Sequence, residues 1–96
     1  MDDEDWLGLS VRARDGTVMG VVVGEFAEGA LAGRLRVEGA YAPGGAAARG
    51  PRDNIAVYAI PRRAMVRRQR DSLLLDVTLS VARGRWLMHI KHTHGP

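Results

Sequence analysis

Cysteine is missing altogether from this chain of 96 residues. That excludes disulfides, thiolate nucleophiles and cysteine-ligated metals, and it fits a reducing compartment. Long apolar runs are missing too: no stretch approaches the ~20 residues of a membrane span. The first residues, Met1-Asp2-Asp3-Glu4-Asp5, are acidic, whereas a secretory signal opens with positive charge and then turns apolar. A cytoplasmic location without membrane insertion is the expectation. Aromatic residues are few, with two Trp, two Tyr and one Phe, so there is little to stack bases upon. Lysine occurs once against thirteen arginines, a bias that, with abundant alanine and glycine, fits a high-GC bacterial genome.

Groups for catalysis are also wanting. A hydrolytic site needs a nucleophile, a base and an orienting acid brought together. Ser10, Ser72 and Ser80 have no histidine near them in sequence. Asp15, Asp71 and Asp76 read as turn or strand-end residues. The segment from Gly20 to Gly24, GVVVG, carries no lysine and reads as strand, so it does not form a phosphate-binding loop. The expectation is a protein that is not an enzyme and holds no cofactor. His89, His92 and His94 form an HxxHxH pattern, and imidazoles are the commonest metal ligands. Close to the end of the chain they read as exposed histidine, and no metal site is expected.

What is present points to strands. Asp15-Gly16 is a turn dipeptide with strand-forming residues on both sides, a strong hairpin signal. Before it, Leu9, Val11 and Ala13 alternate with Ser10, Arg12 and Arg14, which means one buried face and one wet face. After it, Thr17 to Phe26 is apolar on both faces and carries Gly20 and Gly24, each a sign of a bulge, a bend or a close backbone approach. A turn at Ala27 to Ala30 leads to a third strand, Leu31 to Glu38, with Leu31, Gly33, Leu35 and Val37 facing in. A long strand with two such points, as at Gly20 and Gly24, can curl around a small barrel, and Trp6 reads as a core plug at its mouth. Residues 39–54 hold four glycines and two prolines, which predicts one long mobile loop.

Ile55 to Ile60, IAVYAI, is a buried strand rich in strand formers, ended by Pro61. Ala64 to Gln69 and Leu73 to Thr78 read as two more strands about a turn at Arg70-Asp71-Ser72, with Val66, Leu73, Leu75 and Val77 pointing inward. Leu79 to Ile90 carries two patterns. Leu79, Val81, Trp86, Met88 and Ile90 alternate at period 2 about a turn at Arg83-Gly84, which favours a hairpin. Leu79, Ala82, Arg83, Trp86, Leu87 and Ile90 instead share one face of a short helix.

The order of these parts resembles the PRC-barrel family. The resemblance rests on Leu7-Gly8 and Val11, on Asp15-Gly16, on Gly20-Val21-Val22, on the segment Ile60-Pro61-Arg62-Arg63-Ala64-Met65-Val66, and on Asp71 to Leu75. It covers residues 6–78 and implies an all-β fold, a small six-stranded, strongly bent antiparallel barrel. Residues 1–5 are then a disordered acidic tail and residues 79–96 a C-terminal extension, either hairpin or short helix. A docking and assembly module is implied, and no catalytic residue is carried over.

Two sets of residues are candidates for interaction. Residues 1–48 hold four arginines against eight carboxylates, net −4, while residues 49–96 hold nine arginines and one lysine against three carboxylates, net +7. The basic half is densest at Arg62, Arg63, Arg67, Arg68 and Arg70, a local positive potential suited to phosphate or an acidic surface. The second set is Trp86, Leu87, Met88 and Ile90, apolar on both faces of one strand and bracketed by Arg85 and Lys91 as a polar rim brackets an interface core. This predicts a symmetric homodimer with Trp86 as anchor. A fold-back in which the segment plugs its own barrel is the alternative. A further, unidentified protein partner is expected. RNA or ribosome contact through the arginines is the second function considered.

Overall fold

The computed structural model describes residues 6–41 and 54–91. The hairpin about Asp15-Gly16 organises the first half of the fold. Strand β1 (Ser10–Arg12) pairs antiparallel with β2 (Val18–Glu25). The Ala13 N–H donates to the Thr17 carbonyl at 2.9 Å, and the Gly16 N–H donates to the Ala13 carbonyl at 2.9 Å. Gly16 sits at φ +91°, which glycine adopts without a Cβ clash. Asp15 locks the turn by accepting the Thr17 N–H at 3.1 Å. Val11 and Ala13 are buried while Arg12 and Arg14 are exposed, as the alternation predicts.

Strand β2 bends twice. Its register shifts against β1 between the partners of Val11 and Arg12, leaving Met19 as the extra residue. It shifts against β3 (Leu35–Tyr41) between Val22 and Gly24, leaving Val23 extra. Each of the two strand glycines thus lies beside a bulge. Gly20 has a second role. A Cβ there would fall on the Glu38 carbonyl, and a Cβ on Gly39 would fall on the Met19 carbonyl. The two backbones touch, and only hydrogen fits between them.

Strand β3 begins at Leu35 rather than Leu31. Gly29–Leu31 forms a 3-10 turn instead, and Gly33 at φ +88° reverses the chain before the ladder starts. At its other end β3 runs on through Gly39, Ala40 and Tyr41 to pair with β4 (Asn54–Ile60). The expected loop over 39–54 is therefore shortened from both sides, because cross-strand pairing offsets the glycine penalty. Its remainder lies outside the described residues. In β4 every residue from Ala56 to Ile60 is buried. Pro61 ends the strand, and a 3-10 turn at Arg62–Ala64 leads into β5 (Met65–Arg68), which pairs with β6 (Ser72–Leu75). Leu73 and Leu75 point into the core, but Val66 points out and is 56% exposed. A register shift between Met65 and Arg67 turns its side chain away from the inward face.

Residues 79–90 are neither one strand nor one helix. The chain first forms α1 (Leu79–Trp86) and then β7 (Leu87–Lys91). The Thr78 side chain accepts the Val81 N–H at 3.4 Å and caps the helix. Ala82 is fully buried, with Leu79 and Trp86 packed beside it on the core. An eight-residue helix is marginal alone, so this docked face is what holds it. The period-2 pattern misled because Leu79 and Val81 belong to a helical turn, while only the residues after Trp86 belong to a strand.

Among the described residues the fold is mostly strand, but the sheet does not close and has seven strands, not six. Its order is β5-β6-β1-β2-β3-β4-β7. The pairing is also not wholly antiparallel, since β6 lies parallel to β1. The reason is the segment after β4. It carries the β5–β6 hairpin across to the free side of β1, and α1 then returns β7 to the free side of β4. The β5–β6 hairpin and β7 thus extend the sheet at opposite ends, and β5 does not pair with β7. Strand β7 therefore belongs to the same sheet as the preceding strands, and α1 packs on the same core. Val11, Met19, Val22, Val37, Tyr58, Ile60, Leu73 and Leu75 fill the interior, and Trp6, Leu9 and Trp86 pack on its margin.

Candidate interaction surface

An open sheet has two edge strands, each with a row of backbone groups facing away from the ladder. Among the described strands they are β5 and β7, and the two candidate sets lie on or beside them.

At β5 the five arginines separate into two kinds. Arg62 is committed to its own fold. It pairs with Glu25 at 3.0 Å, donates to the Gly33 carbonyl at 3.2 Å and lies over the Trp6 ring, 5.5 Å from its centre. It ties the start of β5 to the β2–β3 turn, and that removes it from the candidates. Arg63, Arg67, Arg68 and Arg70 are exposed, and no carboxylate among the described residues pairs with them. They flank the exposed Val66. Arg63 also lines an open cleft of about 230 Å³ with Pro61, Ala64, Asp76, Arg85 and Trp86.

At β7, Leu87 is half-buried against the core and Ile90 is half-buried, whereas Met88 is 43% exposed. Trp86 is half-buried and packs on its own core, in the fold-back position. His89 is exposed; His92 and His94 lie outside the described residues. Among the described residues there is no group of three metal-ligating side chains. No described helix is long and apolar enough to cross a membrane.

Sequence reasoning read Ile55 to Ile60 as buried but missed the polar link that crosses the outer face of β4. Val57 and Ala59 point to the outer face and are still buried. Across that face Glu38 accepts from Arg36 at 2.9 Å and from Lys91 at 3.2 Å, joining β3 to β7. Burial raises the Glu38 pKa more than any other single effect. The hydrogen bonds and charges of Arg36 and Lys91 together outweigh it, and the carboxyl stays below its ordinary value. Nothing local to Glu38 pointed to this link, because Lys91 lies 53 residues away. Exposed apolar surface also remains at Val18, Val21 and Val23 on β2, the strand whose two faces both read as apolar.

Compared with protein-family models, with curated proteins and with solved structures, the chain gives no match.

Proposed function

We propose that the chain is a non-enzymatic protein-interaction and assembly module that joins a second copy of itself along β7. The edge of β7, along which no described strand pairs, carries this reading. The strand has no proline, one charged residue and an exposed methionine. Antiparallel self-pairing centred on His89 sets Met88 of one copy opposite Ile90 of the other, and Leu87 opposite Lys91, so no like charges face each other. Self-pairing of β5 would bring two sets of four arginines together. The order of parts that resembles the PRC-barrel family supports an assembly role as well.

Sedimentation velocity tests it. The intact chain is expected to be a dimer at high micromolar concentration, and Met88→Glu a monomer with an unchanged melting temperature. A monomeric intact chain overturns the reading. Trp86→Ala adds a second check: if Trp86 serves its own core, this variant loses stability before it loses the dimer.

A second reading, RNA or ribosome contact, is favoured by the exposure of Arg63, Arg67, Arg68 and Arg70. Against it, no described aromatic ring is exposed beside them, and single-strand recognition uses such rings. It predicts that affinity for RNA falls steeply with salt, because neutralised phosphates release counterions. Binding unchanged by salt and by joint replacement of Arg67, Arg68 and Arg70 ends that reading.

A further inference from the structure

The β5 edge differs from β7 in charge, and its backbone is also set for pairing. The Gln69 N–H donates to the Ser72 carbonyl at 2.8 Å. Gln69 and Ser72 are therefore a hydrogen-bonded pair, and the adjacent pair, Arg68 with Leu73, is a non-hydrogen-bonded one. It follows that the Arg68 N–H and C=O point away from β6, toward the side of β5 where no described strand lies. Arginine normally guards such an edge against other sheets. A partner strand of opposite charge meets the reverse situation. Arg67 and Arg68 lie on opposite faces of the strand, since neighbours alternate. Arg63 and Arg70 stand at its two ends, and Val66 offers an exposed apolar side chain between them.

We propose that the free edge of β5 takes an acidic, extended peptide segment of a partner protein as an eighth strand. Strand addition draws affinity from main-chain hydrogen bonds and specificity from side-chain pairs. Here the Arg68 N–H and C=O supply the main-chain contacts. Consecutive carboxylates on the peptide meet Arg67 on one face and Arg68 on the other, and a β-branched residue packs on Val66. This site lies at the opposite edge from β7 and does not require the homodimer.

The test uses the full chain and three probes: a short fluorescein-labelled peptide with paired glutamates between valines and threonines, its paired-lysine counterpart, and a uridine oligonucleotide. The glutamate peptide is expected to raise fluorescence anisotropy, and the lysine peptide not to. Bound peptide is expected to slow hydrogen exchange at the Arg68 amide by at least about tenfold, which reads the backbone pairing without any substitution. Arg68→Ala removes charge alone, whereas Arg68→Pro removes charge and donor, at a position where proline breaks no ladder bond. The proline variant is expected to bind at least about tenfold more weakly than the alanine variant. Absent binding of the glutamate peptide at high micromolar concentration overturns the proposal, as does equal binding of the lysine peptide or unchanged exchange at Arg68. Tight oligonucleotide binding that Arg68→Ala and Arg68→Pro weaken equally, with no peptide binding, assigns the edge to nucleic acid instead. Repeating the titration on Met88→Glu separates this outcome from that of the dimer.

Discussion

Gly20 and Gly39 face each other where β2 and β3 come into backbone contact, and neither position has room for a methyl group. Gly16 is the opposite case, with open space around its absent Cβ but a positive φ. The two kinds of glycine have different costs. At Gly16 a valine meets only conformational strain, about 1–3 kcal/mol. At Gly39 an alanine must push two strands apart and disturb the pairing of both. Gly39→Ala is therefore expected to lower the urea midpoint more than Gly16→Val does, although it adds fewer atoms. Equal effects would mean that the close approach is absent. Glu38 gives a prediction in pH. Its folded-state pKa is depressed, so the folded protein binds fewer protons there than the unfolded chain. The stability it contributes is present above the ordinary glutamate range and is lost as pH falls through the lower, folded-state value. Acid titration followed by circular dichroism is expected to show a shallower loss of stability for Glu38→Gln than for the intact chain.

The elements owe more to docking than to propensity. Helix α1 has eight residues, carries Gly84 in its interior and is held by Thr78 at its start and Ala82 on its buried face. Nothing lies within contact distance of a Cβ placed on Gly84. Gly84→Ala is therefore expected to stabilise the protein by roughly 0.5–1 kcal/mol, raising the melting temperature by a few degrees. Ala82→Leu tests the other face. The site is fully buried, and extra methylenes in a filled core cost about 1–3 kcal/mol. A calorimetric scan in which Ala82→Leu melts no lower than the parent would show that α1 is not seated on the core. Arg83 adds a polar link, donating from Nε to the hydroxyl of the buried Tyr58 at 3.3 Å.

Across the whole molecule, stability is graded from the centre of the sheet to its edges. Among the described residues, strands β1 to β4 and β6 are paired on both sides, and β5 and β7 on one. Amide exchange is expected to be slowest in β2, β3 and β4 and fastest, among the strands, in β5 and β7. Slow exchange throughout β7 at high micromolar concentration, lost on dilution, with fast exchange in β5 at both, is what pairing of β7 with a second copy would produce. The charge asymmetry between the halves of the chain is partly resolved by folding. Arg62 crosses to Glu25 and Lys91 to Glu38, while the arginines around β5 keep no such partner among the described residues.

Local chemistry is legible in the sequence itself. The Asp15-Gly16 turn, the buried faces of Val11, Val37, Leu73 and Leu75, the bulge glycines and the stop at Pro61 each depend on a few neighbouring residues. Turn geometry and side-chain alternation read directly from such neighbours. Three things were decided only by tertiary structure. Gly39 and its neighbours became strand because β4 pairs with them. Residues 79–90 divided into helix and strand because the core accepts Ala82, while the free side of β4 accepts Leu87 to Lys91. The sheet stayed open because the β5–β6 hairpin and β7 settle at opposite ends of it. Sequence neighbours do not determine which distant strands pair. That choice rests on the total burial and hydrogen bonding of the whole chain, and it separated Arg62, held in the fold, from Arg63, Arg67, Arg68 and Arg70, which are exposed.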